Sequence, residues 1–199
     1  MRVVDQTWEW VQPPLLPLQV IELAGRTCYK SEEKITNGSA ERFAAMILKR
    51  GHESVVEHVV ASVRLVTNRG VTHELVRHRI CSFSQESTRY VSYKGDMAFI
   101  KPVWWGDWDA DSQECWNKSM ELAEQSYLTL LENGSRPEQA REVLPNSLRT
   151  EIVITANLRE WRHIFKLRCA EAAHPQIRAL MRQCLKGFRL EIPILFDDI

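Results

Sequence analysis

The sequence lacks the motifs that mark several common classes of enzyme. It contains no G-x-G-x-x-G, no G-x-x-x-x-G-K-[ST] and no G-x-S-x-G, so a Rossmann site, a P-loop and an esterase nucleophile elbow have no support. The five cysteines are widely spaced and form no C-x-x-C pair, which argues against a disulfide framework and a zinc ribbon. Any chemistry must therefore rest on other residues.

Long apolar runs and net charge are missing too. No run approaches the ~20 apolar residues of a membrane span, and residues 1–10 lack a signal-peptide pattern, so we expect no membrane partner and a cytoplasmic location. The 26 basic residues balance the 26 acidic ones, which leaves no global field to attract nucleic acid. An anionic ligand must be bound by a local cluster of cations.

The patterns that are present predict an α+β fold, with a few strands packed against several long helices. With 44% hydrophobic residues the chain can bury an ordinary core, and we expect a single domain over residues 1–199. Ser39 is expected to cap a helix, residues 68–70 to form a turn, and Pro175 to begin the last long helix. Helices are predicted at residues 18–29, 40–49, 71–78, 112–133, 137–141, 159–169 and 175–188, and strands at 2–5, 58–67 and 148–158.

The stretch from Arg77 to Tyr90 concentrates anion-binding side chains. It reads RHRICSFSQESTRY and carries a single acidic residue. Cations at a helix end can simply complement the helix dipole, but the hydroxyl, amide and guanidinium groups that follow can satisfy phosphate oxygens without a metal. A phosphorylated ligand is therefore the better interpretation. Cys81 lies among these cations, which would lower its pKa and make it a candidate nucleophile.

Two further clusters allow a simpler explanation. The stretch GHESVVEH at 51–58 has the wrong spacing for a zinc-protease helix, because Val56 stands four residues after His52, and we expect no metal there. A histidine there could still assist proton movement near neutral pH. Among the C-terminal arginines, solvated ion pairs with Glu160 and Glu171 explain most of Arg159, Arg162 and Arg168.

Taken together, these motifs resemble the flavin-dependent thymidylate synthases. That family carries R-H-R, then seven residues and a serine, and this chain has RHR at 77–79 followed by Ser87. The chain departs from the family pattern at three places. It has Ser84-Gln85 where many relatives have Asn-Glu, Glu74 where Gln is frequent, and AHPQI at 173–177 where AQWEI is usual. Further motifs follow in the family's order: GHE at 51–53, EH at 57–58, REVLP at 141–145, NLR at 157–159, WRH at 161–163 and LR at 167–168.

The resemblance implies a homotetramer of α+β subunits, each with a small antiparallel-type sheet. It implies FAD bound where subunits meet, and dTMP made from dUMP with 5,10-methylenetetrahydrofolate as carbon donor and NADPH as reductant. The implied catalytic residues are Arg168, His52 and Ser87, with Ser87 orienting the substrate rather than attacking it. The implied FAD-binding residues are Ser54, Arg77, His78, Arg79, Gln85, Asn157, Arg159 and His163. The implied dUMP-binding residues are Glu74, Arg77, Gln85, Glu86, Ser87, Arg89, Arg141 and Arg168.

Two other functions stay open at this point. The arginine-rich stretch could bind RNA or single-stranded DNA, with Phe83, Tyr90 and Tyr93 stacking on bases, although zero net charge and the lack of an extended basic face oppose this. The chain could instead be an inactive relative that holds FAD or a nucleotide as a sensor.

Overall fold

The computed structural model describes all 199 residues and has the predicted α+β character. The strands are β1 (Arg2–Val4), β2 (Thr7–Gln12), β3 (Val60–Asn68), β4 (Ser82–Gln85), β5 (Ala98–Ile100) and β6 (Arg149–Asn157). The helices are α1 (Pro17–Tyr29), α2 (Ser39–Lys49), α3 (Arg69–Leu75), α4 (Ala110–Glu132), α5 (Pro137–Ala140), α6 (Leu158–Arg168), α7 (Pro175–Glu191) and α8 (Pro193–Phe196). No helix combines the length and the apolar character that crossing a bilayer requires.

Two sheets organise the strands. A small antiparallel sheet has the strand order β2–β3–β6–β4, so its two long strands, β3 and β6, lie at its centre. Along β6, buried and half-buried residues alternate strictly, as expected for a strand with one face on a core. A separate pair joins β1 and β5 in parallel, with Arg2 opposite Ala98 and Val4 opposite Ile100.

The chain divides into two units, each assembled from three segments. The first unit consists of Met1–Thr7, Leu65–Arg77 and Ser84–Ile152. Its core is built around α4 and β5, and its buried residues are Met97, Phe99, Met120, Tyr127, Ala140 and Leu148. The expectation of a single domain over residues 1–199 stays a prediction.

The second unit has an aromatic core between α6 and α7. It consists of Trp8–Arg64, His78–Phe83 and Val153–Ile199. Trp161 stacks on Phe165 with ring centroids 5.6 Å apart, and Phe188 lies 5.0 Å from both rings. The indole N–H of Trp161 donates to the Ala61 carbonyl at 3.0 Å, which satisfies a polar group that burial would otherwise leave unpaired. This packing fixes α6, whose polar residues form much of the candidate site.

Several local predictions were wrong. The predicted turn at residues 68–70 is the start of α3, because the Asn68 side chain accepts a hydrogen bond from the Val71 amide at 2.8 Å and caps the helix. The same helix ends at Leu75, so the R-H-R motif follows it instead of ending it. Ser39 is the first residue of α2 rather than its cap, and its hydroxyl donates to Glu22 at 2.7 Å.

Candidate functional site

The predicted cofactor-binding residues of the second unit gather at the start of α6. Asn157 ends β6 and caps α6, since its side chain accepts a hydrogen bond from the Glu160 amide at 2.8 Å. The cap fixes where the strand stops and which residues occupy the first helical turns. Arg159 and His163, four residues apart, therefore lie on the same side of the helix.

A cleft of about 500 Å³ lies at this end of α6. Three of the predicted FAD-binding residues line it, together with residues from the 3₁₀ helix Glu53–His58. The lining combines cations, carboxylates and one exposed apolar residue: Glu53, Glu57, Ile80, Asn157, Arg159, Glu160, Arg162, His163 and Lys166. The predicted His52 and Ser54 are exposed and lie outside this lining.

Carboxylates of the 3₁₀ helix hold the cations of the cleft. Glu57 accepts a hydrogen bond from Arg159 at 2.5 Å, and this contact raises the pKa of Arg159. Each carboxylate oxygen of Glu53 faces a different arginine: Oε2 lies 3.7 Å from Arg159 Nε, and Oε1 lies 3.8 Å from Arg162 Nε. The sequence interpretation assigned Glu160 and Glu171 as partners of these arginines. That assignment was wrong for Arg159, whose acidic partners are Glu53 and Glu57.

Arg162 is buried, so the prediction of a solvated ion pair was wrong for this residue. Its side chain is 4% exposed, and both guanidinium Nη atoms donate to the Asp198 carboxylate at 2.7 Å. One of them also donates to the Leu195 carbonyl. Its Nε is buried without a hydrogen-bond partner, and the paired guanidinium lowers the pKa of Asp198.

His78 joins the R-H-R motif to the end of α6. Its Nε2 accepts a hydrogen bond from Arg168 Nε at 3.0 Å, and its Nδ1 lies 3.4 Å from Glu160. Its ring meets that of His163 edge to face, with centroids 5.7 Å apart. Burial, followed by the charges of Arg168 and His163, lowers the pKa of His78 to about 4. His78 is therefore a neutral imidazole that accepts a hydrogen bond from the Arg168 guanidinium and turns its Nδ1 toward Glu160.

His78, Glu160 and His163 also place their potential ligand atoms within 4.8 Å of one another, the grouping expected at a metal site. A metal is nevertheless a poor interpretation. His78 Nε2 already accepts from Arg168, and the guanidinium beside it would repel a cation. The group is better explained by His78 orienting Arg168, with Glu160 3.4 Å from its Nδ1 and His163 packed against its ring.

Three of the predicted substrate-binding residues of the first unit, Glu86, Ser87 and Arg89, share one tight turn. Ser87 accepts a hydrogen bond from the Val91 amide at 3.0 Å, and its hydroxyl accepts one from the Arg89 amide at 3.3 Å. Arg89 is exposed, with its guanidinium carbon 5.4 Å from the centre of the Tyr90 ring. The turn therefore presents a hydroxyl and a guanidinium together, both of which can bind an anion.

The ends of this turn are fastened. The Glu86 amide donates to the Glu151 carbonyl at 2.9 Å, and the Tyr93 hydroxyl donates to the Glu86 carboxylate. Arg149 lies 3.8 Å from the second carboxylate oxygen of Glu86. Burial and the hydrogen bond between Tyr93 and Glu86 raise the pKa of Tyr93. Glu86, predicted to contact substrate, is thus engaged in holding the turn.

Gln85 precedes the turn, and its amide nitrogen donates to Thr72 at 2.9 Å and to Thr150 at 3.3 Å. These bonds engage the amide nitrogen with two threonine hydroxyls. Of the other predicted residues, Glu74 lies on α3 and Arg77 follows that helix. Arg141 begins a 3₁₀ helix after α5, 3.8 Å from Glu142.

The candidate nucleophile Cys81 does not have the activated thiolate that was predicted. Burial and the nearby Glu160 charge raise its pKa to about 12, so the thiol stays protonated at neutral pH. Its arginine neighbours along the chain do not offset the desolvation. Sequence reasoning also gave no role to Asp198 and considered Tyr93 only as a residue that could stack on bases; both lie outside the recognised motifs.

Comparisons with known proteins show which family and which fold this chain resembles. A family model described as thymidylate synthase complementing protein matches residues 14–194. The flavin-dependent thymidylate synthase of Geobacter sulfurreducens is 37% identical over 191 residues, covering 92% of this chain and 82% of that protein. The corresponding protein of Mycobacterium tuberculosis is 34% identical over 197 residues, covering 90% of this chain and 78% of that protein. A crystal structure of the UMP/dUMP methylase PolB from Streptomyces cacaoi bound with 5-Br dUMP superposes with a TM-score of 0.84 at 24% identity, over 99% of this chain and 96% of that chain.

Proposed function

Since the chain belongs to the flavin-dependent thymidylate synthase family, we propose that it methylates dUMP reductively to dTMP, with FAD as cofactor. The carbon donor is 5,10-methylenetetrahydrofolate and the reductant is NADPH. The single observation that carries the proposal is the placement of Arg168, His78 and His163 together beside a cleft lined by charged side chains of both signs. His163 and Arg168 lie on the same helix, but His78 comes from a distant family motif and has no local reason to meet them.

The residues of the cleft fit an anionic cofactor. FAD carries a diphosphate, and the cleft offers guanidinium, ammonium and amide donors from Arg159, Lys166 and Asn157. The buried Nε of Arg162 has no hydrogen-bond partner, an arrangement that a ligand oxygen would satisfy. When bound, the flavin supplies the reducing chemistry of the reaction. The protein then needs to bind, orient and stabilise charge.

Arg168 is the residue best suited to stabilise negative charge on the pyrimidine. The neutral His78 accepts a hydrogen bond from its Nε, which orients the guanidinium. In this proposal the guanidinium donates to a substrate carbonyl. A protonated His78 would repel Arg168 instead. The lowered pKa of His78 keeps the imidazole neutral throughout the neutral range.

The turn of the first unit binds the nucleotide in this proposal. The exposed guanidinium of Arg89 and the partly exposed guanidinium of Arg141 bind the phosphate of dUMP, and Ser87 orients the substrate. The amide oxygen of Gln85 accepts a hydrogen bond from the nucleotide or the flavin. His52 moves protons near the flavin. Glu74, Arg77, Arg79 and Ser54 complete the proposed binding residues.

Assembly and location also belong to the proposal. The chain acts as a homotetramer in the cytoplasm, with FAD held between subunits, and binds neither nucleic acid nor membrane. Ile80 in the second unit and Tyr90 in the first are both exposed, and each lies next to proposed binding residues of its own unit. Large apolar side chains exposed beside a site favour association, which supports the proposed assembly.

The test is an absorbance spectrum of the purified protein, followed by anaerobic addition of NADPH and dUMP in the same cuvette. Flavin bands that NADPH bleaches, and dTMP formed once 5,10-methylenetetrahydrofolate is added, are the expected results. A colourless protein that fails to take up added FAD would contradict the proposed function. Binding of single-stranded DNA that weakens steeply with salt would then favour a nucleic-acid module.

A further inference from the structure

A row of five alternately charged side chains runs through the second unit from the C-terminal segment to the cleft. In order these are Asp198, Arg162, Glu53, Arg159 and Glu57. Each neighbouring pair lies within ion-pair distance: 2.7, 3.8, 3.7 and 2.5 Å in turn. The row begins on a residue that no family motif includes and ends on the arginine predicted to bind the cofactor.

We propose that Asp198 is a positioning residue for the cofactor cleft. It holds the buried Arg162, which fixes Glu53 and, through Glu53, the guanidinium of Arg159. The inference rests on the proposed function, because the cleft is taken as the FAD site. Asp198 itself does not line the cleft.

Burial explains why Asp198 has this effect at a distance. A guanidinium that is 4% exposed cannot be left without a carboxylate except at a large desolvation cost. If Asp198 loses its charge, Arg162 draws on the next carboxylate, Glu53, whose Oε1 lies only 3.8 Å away. Glu53 then leaves Arg159, which falls back on Glu57 alone at 2.5 Å and is no longer held between two carboxylates.

The C-terminal segment has anchors that do not depend on Asp198. Leu195 and Phe196 are buried in the core, and Arg189 on α7 donates to the carbonyls of Phe196 and Ile199. The cations that face Asp198 are Arg162 and Lys166, both on α6. Neutralising Asp198 therefore disturbs the charge row while the segment stays packed.

The test measures the Kd for FAD of the apoprotein by quenching of flavin fluorescence, with Asp197→Asn as the matched control. Asp197 is the exposed neighbour, so this control removes the same charge from the same segment. Relative to the control, Asp198→Asn raises the Kd by about three- to tenfold, the range of coupling through a local network. Asp198→Glu, which restores a carboxylate, recovers most of the affinity.

A double-mutant cycle distinguishes positioning from a general structural role. In an Arg159→Ala background, the effect of Asp198→Asn on the Kd falls by at least about twofold, because only the part that acts through Arg162 itself remains. Equal Kd values for the Asp198→Asn and Asp197→Asn proteins would overturn the inference, even if the melting temperature of the former fell. An unchanged effect in the Arg159→Ala background would overturn it as well. Failure of the wild-type protein to bind FAD is a different result, and it would count against the proposed function itself.

Discussion

The two units hold their predicted ligand-binding arginines in different ways. In the second unit, the predicted Arg159 and the neighbouring Arg162, for which no ligand was predicted, are each paired with a protein carboxylate, at 2.5 and 2.7 Å. In the first unit, Arg89 is exposed, and Arg141 lies 3.8 Å from Glu142 with both side chains facing solvent. Arg162 is 4% exposed, and its pair fixes the guanidinium in place; the Arg159–Glu57 pair is short but half exposed, and the 3.8 Å contact of Arg141 contributes least.

This difference separates two tasks. A cofactor that stays bound through many turnovers binds more tightly where the cations are already oriented, since less conformational entropy is lost on binding. A substrate site must release its product, and exposed arginines that the ligand itself orders suit that requirement. Four experiments test this difference between the two units.

The largest effect is expected from Arg168→Ala in the second unit. The protein keeps its flavin, but kcat for dTMP formation falls by about 10²- to 10³-fold, as for removal of one charge-stabilising donor. Flavin absorbance and dTMP formation are measured on the same sample. Arg182→Ala, which removes an exposed arginine paired with Glu171, serves as the control. Wild-type turnover in the Arg168 variant would remove this residue from the reaction.

The second change tests the neutral state of His78. Its pKa is lowered from 6.5 to about 4, so the unfolded chain binds a proton in this window while the folded protein does not. Stability that is present above pH 6.5 is therefore lost as the pH falls toward 4, by on the order of 2 kcal/mol. The His78→Gln protein, whose side chain at this position cannot titrate, loses less stability over the same pH range. Urea denaturation at pH 7 and pH 4.5 measures the difference, and parallel losses in both proteins would refute the assignment.

The third change compares packing in the two units. A methyl group on Gly187 in α7 would overlap the indole ring of Trp8, whereas one on Gly106 meets nothing within 4 Å. Gly187→Ala should destabilise the protein by about 1–3 kcal/mol, the usual cost of overpacking, while Gly106→Ala should have little effect. Thermal melting of both variants provides the measurement. Equal melting temperatures would show that Trp8 can move aside.

The smallest effect is expected from Tyr93→Phe in the first unit. Loss of the hydrogen bond to Glu86 loosens the turn that carries Ser87 and Arg89, which raises KM for dUMP by about three- to tenfold with little change in kcat. Tyr90→Phe is the control, because Tyr90 is largely exposed. A fall in kcat at constant KM would mean that Tyr93 acts in the chemical step and not in binding.

Periodicity predicted most of the long elements because burial dictates their pattern. The helix predicted at 112–133 is α4 at Ala110–Glu132, and the strand predicted at 148–158 is β6 at Arg149–Asn157. The prediction that Pro175 begins a helix is confirmed by α7. The strands β4 and β5 were not predicted, because β4 has four residues and β5 three, too few to show a period.

Within the candidate site, the motifs indicated which residues matter but not how they are held. The motif around 51–58 contained Glu53 and Glu57, yet their role as partners of Arg159 depends on how that segment meets α6. The pKa of Cys81 was predicted in the wrong direction because chain neighbours are visible in a sequence and desolvation is not. Asp198 gave no signal, since its partner Arg162 is 36 residues away.

The parallel pairing of β1 with β5 has a consequence for how the molecule folds. Its partners, Arg2 and Ala98, are separated by about a hundred residues of chain, so forming it requires a long loop closure for only three residues of pairing. Such a pair gains its hydrogen bonds late and at high entropic cost. In native-state hydrogen exchange, the amides of β1 should therefore open before those of β3 and β6.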